Sequence, residues 1–290
     1  MKALYDIAAP AKLNLFLHIT GKRADGYHLL QSVFALIDWC DMLHFELRTD
    51  GEISREDLTT PLPAQDLIVR AAQALQSVVA TRLGVHIAVD KKIPAQAGLG
   101  GGSSDAASCL LALNRLWDLN LSLEQLSRIG LGLGADVPFF LAGRNAWVEG
   151  IGEKITPLDL PIARYLVVKP PDGLQTGLIF SHLALKTDSK NATISGFAAN
   201  PRSFGGNDLQ EVAQRLCPGV AQAIEWLKSH GMVGRMTGSG SAVFAWGSEG
   251  AEVMDLGTMP GTFEARWCSG LDVHPLLGWA YSDGLPVSGD

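Results

Sequence analysis

Three groups of residues in this chain have the types and spacing to handle a phosphate. The densest is the run Pro94, Ala95, Gln96, Ala97, Gly98, Leu99, Gly100, Gly101, Gly102, Ser103 and Ser104, followed by Asp105. Glycine lets the backbone adopt positive φ and approach an anion closely. A helix start adds free N–H groups and roughly half a positive charge. Ser103 and Ser104 stand where a helix takes its N-cap, and their hydroxyls could also donate to phosphate oxygens. A flexible turn before an ordinary capped helix is the plainer alternative. The stiff strand and helical pattern on either side argue for a cradle. The second group is Lys12 with Asn14, in an apolar N-terminal run. The third is Asp136, a single carboxylate in the apolar stretch Ala135–Leu141, just past several glycines. Asp136 with Pro138 two residues later also fits a helix N-cap, and both readings stand. A phosphate cradle, a lysine and such a carboxylate suggest phosphoryl transfer, which asks a protein for positioning and charge neutralisation. A lysine beside the carboxylate would hold it ionised and stabilise charge on the moving group.

These groups need elements to position them. Leu13, Leu15, Leu17 and Ile19 recur at period two and predict a strand, with Lys12, Asn14, Phe16 and His18 on its other face. On that pattern alone, Lys12 reads as a solvated edge charge and Asn14 as a polar outer-face residue. Residues 21–28 form a loop by composition. That loop brings Tyr27 and His28 next to basic residues, with Tyr27 as core and His28 as surface the plain alternatives. Strand-like runs follow over 30–36 and 42–47, then a polar loop over 50–65. Asp66 opens a helix that closes at Gly84. Val85, Ile87 and Val89 predict the strand before the glycine loop, and the helix after it runs to about Trp117. Ser122 with Gln125 reads as a capping box. A strand pair is expected over 144–158 and a domain boundary near 160, giving domains 1–160 and 161–290. Beyond it come a strand over 165–168, a short helix beginning at 178–180, an irregular connection over 186–206 and a helical region from 207 to 227. A second glycine loop over 234–241 then leads into a strand at 242–246 and suits close approach to the first. A helix over 249–256 and a last strand over 263–268 complete the chain, before an irregular tail.

Composition narrows the class. The 290 residues are 47% hydrophobic, enough for a large core, and the net charge of -7 disfavours broad nucleic-acid binding. A local basic pocket for a phosphorylated small molecule is compatible with that charge. Cys40, Cys109, Cys217 and Cys268 are far apart and suggest neither a zinc site nor a disulfide framework. No apolar run approaches the ~18 residues of a membrane span, and Asp6, Lys12 and Asn14 interrupt any secretory leader pattern. The expected class is a cytoplasmic globular protein. The glycine loop lacks the Gly-Lys-Ser/Thr of a Walker A motif. It also lacks the third glycine and the downstream acidic residue of a dinucleotide fingerprint.

The loop 94–107 resembles the central motif of the galactokinase, homoserine kinase, mevalonate kinase and phosphomevalonate kinase (GHMP) superfamily. The form Gly-Leu-Gly-Gly-Gly-Ser-Ser-Asp-Ala-Ala is similar to the 4-diphosphocytidyl-2-C-methyl-D-erythritol kinases within it. Residues 8–17, 25–28, 133–140 and 235–244 resemble further motifs of that family, in the same order along the chain. The resemblance implies the GHMP kinase fold, an α+β arrangement of two-layer α/β sandwiches. Its N-terminal domain would be ribosomal protein S5 domain 2-like and its C-terminal domain ferredoxin-like, with the site between them. It implies that Lys12 and Asp136 are catalytic, Asp136 as general base toward a 2-hydroxyl. Asn14 would orient the substrate. Tyr27 and Phe180 would sandwich a cytosine ring, and His28 would read its edge. Thr176 would lie near the diphosphate or the cytidine. Residues Pro94 to Ser104 would hold ATP. ATP and Mg2+ are the implied cofactors, with no protein ligand of the metal assigned. The partners are then small molecules, not nucleic acid or membrane, and the assembly a monomer or weak homodimer. A kinase for another small alcohol, such as homoserine or mevalonate, is the alternative, and the Asp25-Gly-Tyr-His28 loop argues against it. A non-catalytic nucleotide-binding regulator on the same fold is a further alternative, against which both Lys12 and Asp136 are present.

Overall fold

A computed structural model of the chain describes residues 1–182, 185–247 and 261–280. The helix expected over 249–256 and the tail beyond 280 lie outside these residues. The architecture grows from one long hairpin: β1 (Ala3–Lys22) and β2 (His28–Arg48) run antiparallel, with Lys12 opposite Leu36 and Asn14 opposite Phe34. The two strand-like runs over 30–36 and 42–47 are thus one continuous strand, and 21–28 is the hairpin turn.

β2 organises the sheet. Its second half pairs antiparallel with β4 (Gly84–Asp90), and its first half pairs with β5 (Ala146–Gly150), which turns back as β6 (Lys154–Pro157). A strand that the polarity of 50–65 concealed, β3 (Ile53–Asp57), runs parallel to β4. The C-terminal half adds β7 (Arg164–Lys169), the hairpin β8 (Arg235–Met236) and β9 (Val243–Trp246), and β10 (Glu264–Leu271). β10 pairs with β7 and also touches β2 at Leu36 and Ile37, so the two halves join through backbone hydrogen bonds.

Helices cover the sheet. Asp66 caps α1 (Leu67–Val79) by accepting the Val69 N–H, and the helix ends at Ala80, earlier than Gly84. α2 (Gly101–Leu116) starts at Gly100, not at the serines, because Gly100 takes the left-handed conformation (φ 74°) that turns the chain into the helix. The Ser122–Gln125 capping box opens α3 (Leu123–Leu133), and α4 (Val137–Ala142) follows Asp136. α1 to α4 pack on one part of the sheet over a core that includes Phe45, Leu75, Leu110 and Phe139.

In the second half, α5 (Thr176–Phe180) begins before Leu178, and α6 (Ile194–Ala199) falls in the region read as irregular. The helical region 207–227 divides into α7 (Gln210–Leu216) and α8 (Pro218–Ser229), since Pro218 has no N–H with which to continue α7. α7 and α8 cover β7 and β9 through Val212, Val220, Leu166 and Ala245.

β1 is buried on both faces. Leu13, Leu15 and Ile19 are inside as period two requires, and so are Lys12, Asn14 and Phe16, at 3, 2 and 0% exposure. The edge-charge reading of Lys12 and the outer-face reading of Asn14 are therefore overturned. C-terminal-half groups such as Phe197, Phe204 and Thr237 cover that face.

Candidate active site

Lys12 enters the site from the middle of β1. Its backbone N–H donates to Leu99 O at 2.9 Å, tying the strand to the glycine loop. Its ammonium donates to Asn14 Oδ1 at 2.5 Å, lies 4.8 Å from the centre of the Phe34 ring, and stands 3.5 Å from Asp136 Oδ2. Asn14 is fixed in turn: its side-chain amide donates to Ser32 Oγ at 2.9 Å, and its backbone N–H donates to Thr237 Oγ1 at 2.8 Å. The lysine is thus aimed by buried partners and not by its own flexible stem.

Asp136 occupies the position before α4, but its backbone is already helical (φ -84°, ψ -13°) and its side chain caps nothing. The carboxylate reaches instead toward Lys12, so the N-cap reading is not met. It is 30% exposed, so one side faces Lys12 and another is open to a reactant.

The glycine loop forms the opposite wall. Gly100 has no side-chain cap over it, so the N–H groups of Gly101, Gly102 and Ser103 at the head of α2 have no partner inside the helix. A Cβ on Gly100 would lie 3.0 Å from Phe140 Cζ and 3.2 Å from Lys12 Cε, so only glycine lets the loop come this near to the lysine. The second glycine loop locks onto the first: Ser241 N–H donates to Gln96 O and Ala242 N–H to Ala97 O, both at 3.1 Å. Asn207 holds it from behind, donating to the carbonyls of Met236 and Gly238 at 2.8 Å each.

One cleft of about 720 Å³ runs between these walls. Lys12, Asn14, Asp136, Thr176, Phe180 and every residue from Pro94 to Ser103 line it. Ser104 does not: it is fully buried on the inner face of α2, its N–H donates to Gly100 O, and its Oγ has no partner. Its hydroxyl is therefore turned away from any phosphate, contrary to the sequence expectation. Thr176 Oγ1 hydrogen-bonds Ser239 Oγ at 2.8 Å, joining α5 to the second glycine loop. The His28 ring lies 5.4 Å from that of Phe180, tilted by 35°. Burial, and then Lys22, lower the pKa of His28, favouring the neutral ring that can both donate and accept. Tyr27 stands apart. It is 60% exposed and makes no ring contact among the described residues, so neither its core alternative nor a closed Tyr27–Phe180 sandwich is present.

Sequence reasoning passed over Thr237, Asn207 and Phe34. Thr237 lay in a glycine loop already singled out, and Asn207 was read only as the start of a helical region. Phe34 carried no signal beyond an apolar strand. The remaining cleft carboxylates are committed: Asp66 to Arg55 at 2.5 Å, and Asp105 to Lys91 at 2.5 Å. Among the described residues no group of three His, Cys, Asp or Glu side chains could hold a metal.

This arrangement has relatives. Residues 66–144 match the GHMP kinases N terminal domain and residues 190–254 the GHMP kinases C terminal family. A 4-diphosphocytidyl-2-C-methyl-D-erythritol kinase of Albidiferax ferrireducens is 69% identical, over 99% of each chain. One from Variovorax paradoxus is 63% identical, over 97% of this chain and all of that one. A crystal structure of 4-(cytidine 5'-diphospho)-2C-methyl-D-erythritol kinase superposes with a TM-score of 0.74 at 32% identity, covering 91% of this chain and 98% of that one. A homoserine kinase from Cytophaga hutchinsonii shares the fold alone, with a TM-score of 0.67 at 15% identity over 94% of this chain and 96% of that one. The chain belongs to the 4-diphosphocytidyl-2-C-methyl-D-erythritol kinase family of the GHMP kinases.

Proposed function

We propose that this protein transfers the γ-phosphoryl group of ATP to the 2-hydroxyl of 4-diphosphocytidyl-2-C-methyl-D-erythritol, a step of the non-mevalonate route to isoprenoid precursors. The observation that carries this is the Lys12–Asp136 pair, 3.5 Å apart, facing a bare helix start across one cleft. The ATP phosphates sit on the N–H groups of Gly101, Gly102 and Ser103, where the dipole of α2 favours negative charge. Asp136 accepts the proton of the acceptor hydroxyl as its oxygen bonds to the γ-phosphorus and the bond to ADP breaks. Lys12 holds the Asp136 carboxylate in place and offsets charge on the transferring group. Mg2+, held mainly by phosphate oxygens and water, would add neutralisation. The other cleft carboxylates, Asp66 and Asp105, are taken by Arg55 and Lys91, so no protein side chain is assigned to the metal.

The cytidine end follows from what stands at the cleft's other side. Phe180 offers a ring face, and His28 beside it offers a donor and an acceptor for a base edge. Tyr27, on the neighbouring hairpin turn, closes over the base from solvent. Thr176, hydrogen-bonded to Ser239, would lie near the diphosphate or the cytidine. Asn14 orients the acceptor alcohol. We place the domain division near residue 160, which is supported by the N- and C-terminal family matches falling on either side. A cytoplasmic monomer or weak homodimer is the proposed state, and no helix among the described residues is long and apolar enough to cross a membrane.

The test is an ATP-coupled assay with 4-diphosphocytidyl-2-C-methyl-D-erythritol, mevalonate and homoserine side by side. Turnover of the first alone is expected; preference for either of the others would overturn the substrate assignment.

A further inference from the structure

Directly behind the phosphate cradle lies a buried charge cluster that the transfer chemistry does not use. Asp41 of β2 and Asp105 of α2 are 0 and 2% exposed. Lys91, just past the end of β4, sits between them: its ammonium donates to Asp105 Oδ2 at 2.5 Å and to Asp41 Oδ2. Asp41 Oδ1 also accepts the backbone N–H groups of Lys92 and Ile93 at 2.5 and 2.8 Å. Asp41 Oδ2 lies 3.5 Å from where a Cβ of Gly101 would stand, which places it under the first turn of α2. Lys91 and Asp105 both line the cleft, and Asp105 Oδ1 is buried without a partner.

The cluster holds two carboxylates and one ammonium. Asp41 receives three N–H donors, from the Lys91 ammonium and the backbone of Lys92 and Ile93. Asp105 receives one N–H donor, leaves Oδ1 without a partner, and stands within hydrogen-bond reach of the Asp41 carboxyl, a contact that needs a proton on one of the two. With both ionised, an unneutralised negative charge would lie beneath the N–H groups that take the phosphates, where low dielectric makes repulsion strong.

We infer that Asp105 carries a proton in the nucleotide-bound enzyme, so that the Asp41–Lys91–Asp105 cluster is neutral and the affinity for ATP depends on that proton. The inference rests on reading the cleft as an ATP site. Asp105 touches no phosphate; it is a positioning residue that keeps charge away from the cradle. Burial pushes its carboxyl well above the ordinary carboxylate range, with Asp41 adding to the rise against the pull of Lys91. The groups around it are few. On α2 itself is Cys109, whose thiol burial also pushes up. Asp66 heads α1 and is held by Arg55 of β3. Lys12 of β1 and Asp136 of α4 face each other in the cleft. α3 offers Glu124 and Arg128, which pair together at its exposed surface. Lys92 and Asp90 pair beside β4.

Calorimetric titration of wild type and Asp105→Asn with MgATP, at about pH 7.5 and about pH 9.5, tests this, because the phosphates of ATP are fully ionised across that range. Asparagine reproduces the protonated acid: its carbonyl accepts from Lys91, and its amide donates. Wild type should lose about tenfold in ATP affinity across the interval and the variant less than about twofold, with both alike at the lower pH. Equal losses in the two proteins, or no loss in wild type, would overturn the inference. Failure of wild type to bind ATP at the lower pH would instead overturn the reading of the cleft. Carbon-13 NMR of aspartate-labelled wild type with ATP bound gives a reading independent of the variant's folding. One buried carboxyl should be protonated at about pH 7.5, and its absence would refute the inference.

Discussion

Gly98→Ala is the substitution whose consequence can be worked most fully from the structure. Gly98 has φ +73°, and a Cβ there would lie 2.2 Å from Thr237 O and 2.9 Å from Gly240 N, against 3.4 Å for ordinary contact. Both obstacles are backbone, so no change of rotamer makes room, and the two glycine loops must part by about 1 Å. Parting them breaks the Ser241–Gln96 and Ala242–Ala97 hydrogen bonds. Two such bonds at about 1 kcal/mol each, with about 1–2 kcal/mol for alanine in the left-handed region, give a loss of about 3–4 kcal/mol. The same movement pulls Thr237 from the Asn14 N–H and so misplaces the partner of Lys12. A shift of that size should lower kcat about 100-fold in whatever remains folded. Urea unfolding followed by circular dichroism, with steady-state kinetics on the same samples, measures both. Gly132→Ala is the control: nothing lies within 4 Å of its Cβ, and it stands inside α3, so it should gain about 0.5–1 kcal/mol. A Gly98→Ala protein within about 0.5 kcal/mol of wild type, with normal kcat, would refute the account of the two loops as one clamp.

Tyr27→Ala should leave thermal stability unchanged, because the residue is 60% exposed and makes no aromatic contact among the described residues. It should raise the KM for the cytidine substrate about two- to tenfold through loss of one stacking face; an unchanged KM would remove Tyr27 from the site. His274 titrates outside the cleft. It is 1% exposed, accepts the Leu276 N–H at Nδ1, and is held down to about 4 by burial, from an ordinary 6.5. Between those values the unfolded chain takes up a proton that the folded chain refuses, so stability falls as pH drops through that window and is level above it. The loss at about pH 5 is about 2 kcal/mol. Melting curves at about pH 7 and about pH 5 should show this loss reduced in His274→Gln; the same loss in both proteins would contradict it.

Much of this could be read from local sequence, for local reasons. The Asp66 cap, the Ser122–Gln125 box and the strand–glycine–helix order each need only neighbours a few residues apart, and each is where the pattern put it. The two glycine loops were singled out by composition, though their mutual grip is a matter of backbone hydrogen bonds between residues far apart. Period two separated the faces of β1 but could not say that the second face is also covered. Lys12 and Asn14 therefore read as surface until Thr237 and Phe197 from the C-terminal half closed over them. β3 was hidden because an edge strand that pairs with β4 alone tolerates Ser54, Arg55 and Glu56. Ser104 was misjudged because the helix begins at Gly100, which rotates that hydroxyl inward. The Asp41–Lys91–Asp105 cluster had no sequence signature at all, since its members come from three separate elements.

The central claim is that Asp136 takes the proton of the acceptor hydroxyl while Lys12 holds it there. Its most direct measure is kcat for phosphoryl transfer from ATP to 4-diphosphocytidyl-2-C-methyl-D-erythritol by Asp136→Asn. Asparagine keeps the shape and loses the base, so the account predicts a fall of about 100- to 10,000-fold, with ATP binding unchanged. A rate within a few-fold of wild type would contradict it.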